Sequence, residues 1–245
     1  EVFLDREKNL WLGLDNGIDF VAYNNAIKHI YPEYLNEGSG YASHIYNNEL
    51  YIGTSNGLYK VPLYNANDLS YIRGNFQPVN NTEGQVWNLS EVNGKLLMGH
   101  HEGGFTIEEN VAKAIDNSSG FWTFQPLSNV LPSSVIITGT YNGINFYDYA
   151  SGRFTNRNVH AHFESARFVV IDNDNIWVAH PYKGLFRVRL NNGQPEIKNY
   201  AAGQGVMSVN GNDIFRVRNS IVITTEKGIF EYNGKKDVFE PYAQD

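Results

Sequence analysis

The sequence predicts an all-β protein, a β-propeller of six four-stranded antiparallel blades, and three observations carry that expectation. One short apolar motif returns six times along the 245 residues. The returns are spaced at blade length, and each is followed after a near-constant gap by a turn glycine. The motif reads Leu10-Trp11-Leu12-Gly13 with Asn16-Gly17-Ile18, Leu50-Tyr51-Ile52-Gly53 with Asn56-Gly57-Leu58, and Leu96-Leu97-Met98-Gly99 with Gly103-Gly104-Phe105. Ile136-Ile137-Thr138-Gly139 with Asn142-Gly143-Ile144 is the fourth copy. Ile176-Trp177-Val178-Ala179 with Gly184-Leu185-Phe186, and Val222-Ile223-Thr224 with Lys227-Gly228-Ile229, complete the set.

Taking residues 13, 53, 99, 139, 179 and 224 as anchors, the steps are 40, 46, 40, 40 and 45 residues. About 40 residues hold four strands of roughly five or six residues with their connections, and leave no room for helices. The chain is therefore one domain with units at about 1–35, 36–80, 81–125, 126–160, 161–205 and 206–245. These either close alone or form an arc of a ring of about seven or eight blades.

Each unit opens on a first strand, such as Val2 to Leu4 or Phe168 to Ile171, and continues through a polar turn into the anchor strand. Glycine in an otherwise bulky anchor strand is expected where neighbouring blades approach closely. The Asn-Gly or Lys-Gly pair is expected to supply the positive φ of a tight hairpin turn. A third strand follows, as in Ile144 to Tyr147, and the fourth is short and aromatic, as in Phe239 to Tyr242. The longer steps are assigned to loops in Pro62 to Gly84 and Asn191 to Asn210, where Asn, Gly and Ser cluster.

Composition supports the assignment. Apolar residues make up 42% and charged residues 18%, enough for a packed core, while Tyr, Phe and Gly favour strands and turns. A net charge of -7 argues against nucleic acid as a partner. With no cysteine, disulfides and thiolate metal sites are excluded. No apolar run is long enough to span a membrane and no basic-then-apolar leader opens the chain, so an exported protein would contain it as an excerpt.

The stretch Asp5-Arg6-Glu7-Lys8-Asn9-Leu10-Trp11-Leu12-Gly13 closely resembles the two-component regulator propeller repeat, whose consensus is an acidic turn, Asn-Leu-Trp-Ile-Gly-Thr and then Gly-Leu. Gly84-Gln85-Val86-Trp87, Tyr182-Lys183-Gly184-Leu185-Phe186-Arg187 and Thr225-Glu226-Lys227-Gly228-Ile229-Phe230 are similar to it too. The fourth and sixth units depart most, lacking Trp in the anchor strand. The resemblance implies a periplasmic, polysaccharide-responsive sensor, the outer part of an inner-membrane regulator that continues into a histidine kinase or a helix-turn-helix output. A homodimer is the expected signalling unit, because a propeller can inform a membrane helix only by moving against another subunit.

Residue chemistry narrows the function further. His160 and His162 would share one strand face, but spacing supplies no third ligand, so no metal is assigned. His100 and His101 are expected to point to opposite faces. Asp15, Glu102 and Glu226 lie in equivalent turns, where convergent carboxylates would suit glycoside hydrolysis; acids also populate turns for conformational reasons, and the segment is read as non-enzymatic, without a cofactor. Trp11, Trp87 and Trp177 are assigned to the core, whereas Trp122 lies outside the anchor pattern and is expected to face ligand.

In a four-stranded meander the turns between strands two and three share a face with the blade-to-blade links. Asp15, His100, Glu102, Tyr141, Asn142, Tyr182, Lys183 and Glu226 are therefore expected to form a ring there. Its flat apolar faces and hydrogen-bonding groups suit an oligosaccharide; a solvated turn ring, a carbohydrate-active enzyme and a protein-interaction scaffold are the alternatives.

Overall fold

The structure, a computed structural model, describes residues 1–21, 30, 32, 38–63, 76–128 and 130–242. It is a β-propeller in which every sheet is a meander, hydrogen-bonded in chain order. Sheet 1 holds Val2–Leu4, Leu10–Leu14 and Gly17–Val21; a fourth strand of this unit would fall outside the described residues. Sheet 2 holds Gly40–Tyr46, Glu49–Thr54, Leu58–Pro62 and Gln77–Pro78. Sheet 3 holds Val86–Val92, Lys95–His100, Gly103–Glu108 and Val111–Asp116. Sheet 4 holds Phe121–Pro126, Val135–Thr140, Gly143–Ala150 and Arg153–His162. Sheet 5 holds Phe168–Asp172, Asn175–His180, Gly184–Asn191 and Gln194–Tyr200. Sheet 6 holds Asp213–Val217, Ser220–Thr225, Gly228–Asn233 and Val238–Pro241.

Helix among these residues is a single 3₁₀ turn, Ala202–Gln204, in the link between sheets 5 and 6. Several divisions differ from the sequence reading, and the fourth unit runs past 160, since its last strand is Arg153–His162. The third and fourth units divide between Asp116 and Phe121 rather than at 125/126, because Phe121–Pro126 pairs with Val135–Thr140. The stretch 191–210 is not all loop, since Gln194–Tyr200 pairs with the third strand of sheet 5 after an Asn192-Gly193 turn; the inserted length lies after Tyr200. Of the other insertion, 64–75 lies outside the described residues.

The anchor strands of sheets 3, 4 and 5 read as continuous apolar runs because both faces are buried, each against a different neighbour. Leu96 and Met98 pack with Tyr51 and Leu58 of sheet 2, while Leu97 between them packs with Phe121, Phe124 and Ile136 of sheet 4. Ile137 turns to Val169, Ile176 and Val178 of sheet 5, and Trp177 and Ala179 turn to Ile214, Ile223 and Phe239 of sheet 6. Strand alternation thus distributes one sequence run over two interfaces.

The anchor glycines follow from the same geometry. A Cβ on Gly53 would lie 2.5 Å from Val86 Cγ1 on the next sheet, and one on Gly139 would lie 2.2 Å from the Ala166 carbonyl in the link that leads into the next. Gly13 is different: its nearest neighbour would be Glu1 at 3.7 Å, within its own sheet. Sheet 1 is the exposed member, with Phe3, Ile18 and Phe20 at 65%, 76% and 50% exposure.

The glycine of the second turn has the expected positive φ in every unit, but not as one of a left-handed pair. Left-handed pairs of a tight hairpin occur at Asn93-Gly94, Ser151-Gly152 and Asn192-Gly193, between other strands. At Asn16-Gly17, Asn56-Gly57 and Asn142-Gly143 the glycine opens the third strand or stands just before it, with φ of 156°, 146° and 115°. The turn is held from the preceding residue: Thr54 and Thr140 hydroxyls accept the amides of Asn56 and Asn142 at 3.0 and 3.1 Å. In sheets 3 and 5 the Nδ1 atoms of His100 and His180 do the same for Glu102 and Tyr182.

Candidate functional site

The first strands of sheets 2 and 3, of 3 and 4, and of 5 and 6 touch one another, and those of sheets 2 to 6 stand around a central channel. Near its mouth lies a cavity of about 410 Å³ lined by Tyr41, Trp87, Trp122, Arg167, Phe168 and Asp213, among others. Three of these occupy one structural position. In sheets 2, 3 and 4 the pairing of first and second strands slips between Gly40 and Ala42, Val86 and Asn88, and Phe121 and Thr123, so Tyr41, Trp87 and Trp122 are each the extra residue of a β-bulge. A bulge leaves its residue unpaired and re-aims its side chain, here into the channel. Sheet 5 places Arg167 at the equivalent point, just before the Phe168–Ala179 pair.

The result is a continuous row of rings. Tyr41 and Trp87 have centroids 5.0 Å apart, Trp87 and Trp122 4.9 Å, and the Arg167 guanidinium sits 5.0 Å from the Trp122 ring. Tyr141 closes over the row from the turn of sheet 4, 4.9 Å from Trp122, and its hydroxyl accepts from Trp87 Nε1 at 2.8 Å. Trp122 Nε1 donates to Ser165 Oγ at 2.6 Å. Both indole N–H groups are thereby fixed, leaving the rings as half-buried apolar surfaces. Burial raises the Asp213 carboxyl above its ordinary range, against the opposing pull of the Ile214 amide and the Arg167 charge.

Of the nine residues marked from sequence, Trp122 and Tyr141 meet at this mouth. Asn142 is exposed and donates from Nδ2 to Ser119 Oγ. His100 is buried, its Nδ1 used within the turn, and burial together with the neighbouring His101 lowers its pKa. Tyr182 is 71% exposed, and Lys183 lies 3.5 Å from Glu164. The acids Asp15, Glu102 and Glu226 stand on turns of three different sheets; Glu102 lies 3.7 Å from His101, and Glu226 accepts from Ser208. Among the described residues no cluster of His, Asp and Glu could hold a metal ion; His160 and His162 do share a face, ring centroids 5.4 Å apart.

Three expectations are corrected. Trp87 is channel wall, not core. Trp11 is 41% exposed, tilted against Phe20 with ring centroids 4.6 Å apart and its Nε1 donating to Asp5, whose carboxylate also accepts the Glu7 and Asn9 amides. That contact is what the acidic turn of the motif does here. His100 and His101 do not diverge: His101 has left the strand for the turn, where alternation no longer applies, and the two rings lie 4.3 Å apart. Trp177 is fully buried as expected.

Tyr41, Arg167 and Asp213 escaped the sequence reading. A signal was present: Tyr41, Trp87 and Arg167 each stand 12 residues before their anchors Gly53, Gly99 and Ala179. Trp122 stands 17 before Gly139, displaced by a longer first hairpin.

No protein-family model matches the chain, and no curated protein matches it. Among solved structures, the extracellular domain of BT4673 from B. thetaiotaomicron, described as a hybrid two-component system, superposes with a TM-score of 0.67 at 16% identity, over 100% of this chain and 36% of that one. The extracellular domain of the hybrid two-component system BT3049 from the same organism gives 0.58 at 18% identity, over 84% and 30%. The WD40 β-propeller domain of Doa1 gives 0.54 at 14% identity, over 98% and 76%. At these identities the likeness is one of fold, and the chain spans about a third of the length of the two extracellular domains.

Proposed function

We propose that this chain is part of the extracytoplasmic sensing region of a signal-transduction regulator, and that it binds an oligosaccharide at the channel mouth. The observation that carries the reading is the row Tyr41, Trp87, Trp122, three aromatic rings presented by three sheets at one register position through three bulges. Core packing needs no such repetition, because a bulge sacrifices a ladder pair to re-aim one side chain. Flat rings flanked by an arginine and a carboxylate suit a sugar, whose ring has an apolar face and a polar rim. The solved neighbours that are extracellular domains of two-component systems support the sensing role and an extracytoplasmic, periplasmic setting. The signal would pass to the rest of a membrane-bound regulator by movement against a second copy.

Binding is favoured over hydrolysis because, among the described residues, the cavity wall carries one carboxylate, Asp213, where acid–base cleavage of a glycosidic bond uses two. The test is a glycan panel read by thermal shift and product analysis. A ligand at about 100 times its Kd should stabilise the fold by about 2.7 kcal/mol without being cleaved, and Trp122→Ala should abolish that gain. Cleavage, or a gain unaffected by Trp122→Ala, would overturn the reading.

A further inference from the structure

The mouth is not uniformly neutral. Where sheets 2, 3 and 4 present a ring, sheet 5 presents Arg167, whose guanidinium lies 5.0 Å from the Trp122 ring and 5.3 Å from Phe168. Four other arginines have partners: Arg187 donates to Asp237 and Tyr232, Arg157 to Asp148, Arg189 to Asn175, and Arg216 lies 3.8 Å from Asp172. Among the described residues Arg167 has neither a hydrogen bond nor an ion pair. Asp213 in the same cavity feels its charge but does not pair with it. A guanidinium resting on aromatic faces keeps its planar fork of N–H donors, whose natural acceptor is a carboxylate taken through two hydrogen bonds.

We propose that the saccharide bound here is acidic: its sugar rings pack along Tyr41, Trp87 and Trp122, and the carboxylate of a uronic acid is taken by Arg167. This rests on the channel mouth being the saccharide site proposed above. The net charge of -7 acts against an anion arriving at most of the surface, so selection must be local, made by the one cation built into the aromatic row.

The experiment uses matched pairs on the purified chain, followed by tryptophan fluorescence and calorimetry: oligogalacturonate against its methyl ester, oligoglucuronate against the cello-oligosaccharide of equal length, and a hyaluronan oligosaccharide against its carboxyl-reduced form. The acidic member of at least one pair should bind about tenfold or more tighter than its neutral mate. Arg167→Gln should bring the two to equal affinity, Arg167→Lys should keep part of the preference, and Trp122→Ala should lose both ligands. Equal binding of acid and neutral forms, lost in Trp122→Ala but unchanged in Arg167→Gln, would overturn the acidic ligand and leave the saccharide site standing. If no member of any pair bound the folded chain, the saccharide site and this inference would fall together.

Discussion

The Trp87 indole N–H donates to the Tyr141 hydroxyl at 2.8 Å, tying the first strand of sheet 3 to the turn between the second and third strands of sheet 4. The Tyr141 ring packs directly over Gly120, in the space a side chain there would need: a Cβ on Gly120 would lie 2.4 Å from the ring. Tyr141→Phe should therefore cost about 1 kcal/mol, the value of one hydrogen bond whose donor is left partly buried. Tyr141→Ala should cost roughly 2 kcal/mol or more, since the Trp122 contact goes too. Tyr182→Ala, at an exposed turn, should stay within about 0.5 kcal/mol. Urea unfolding of the three variants checks the order, and near-equal midpoints would refute it.

The anchor position supplies a contrast within one motif. Gly139→Ala should destabilise by roughly 2 kcal/mol or prevent folding, because the added methyl meets backbone that cannot move aside. Gly13→Ala, with ordinary contact distances, should be nearly neutral or slightly stabilising. Soluble yield and thermal midpoint separate the two, and equal losses would show that close approach is not what the glycine serves.

Asp237 gathers Arg187, Lys198, Tyr200 and Tyr232 at one carboxylate beside the buried Trp177. Desolvation opposes its charge, but the Lys198, Tyr200 and Tyr232 hydrogen bonds and the Arg187 charge outweigh it and hold its pKa below the ordinary 3.8. A depressed carboxylate contributes stability above its unfolded pKa that is lost as pH falls through the folded one. Asp237→Asn should cost roughly 2 kcal/mol near neutral pH, discounted for a half-exposed group, and should flatten the loss of stability on acidification below about pH 4. Denaturation series at several pH values measure both quantities.

His100 works in the opposite range. Burial first, and then His101, lower its pKa from 6.5, so the neutral ring is favoured in the fold. Its contribution is complete above that value and is lost as pH falls below it, when the unfolded chain takes up the proton more readily. His100→Thr copies the turn of sheets 2 and 4, where Thr54 and Thr140 accept the equivalent amide. The variant should lose some packing energy at about pH 7.5, yet fall less than the parent between about pH 7 and pH 5. Parallel curves for the two proteins would assign the pH dependence elsewhere.

Much of the fold was legible from residue order alone. The six anchors, their spacing and the glycine after each are local properties, set by what one strand and one turn require, and the sheets form where those signals stand. The close approach at Gly53 and Gly139 was legible too, since a glycine in an otherwise bulky strand marks a place where a neighbouring chain segment comes near. The mouth was not. Trp87 reads as core because its neighbours Val86 and Leu89 are core, and only the slip in pairing at the bulge turns it to the channel. Arg167 lies 45 residues from Trp122 in the chain and carries no motif. Repetition along the chain determined which residues make strands. The packing of separate sheets around a common channel decided which side chains meet, because contacts between sheets depend on register and on bulges that no local pattern specifies.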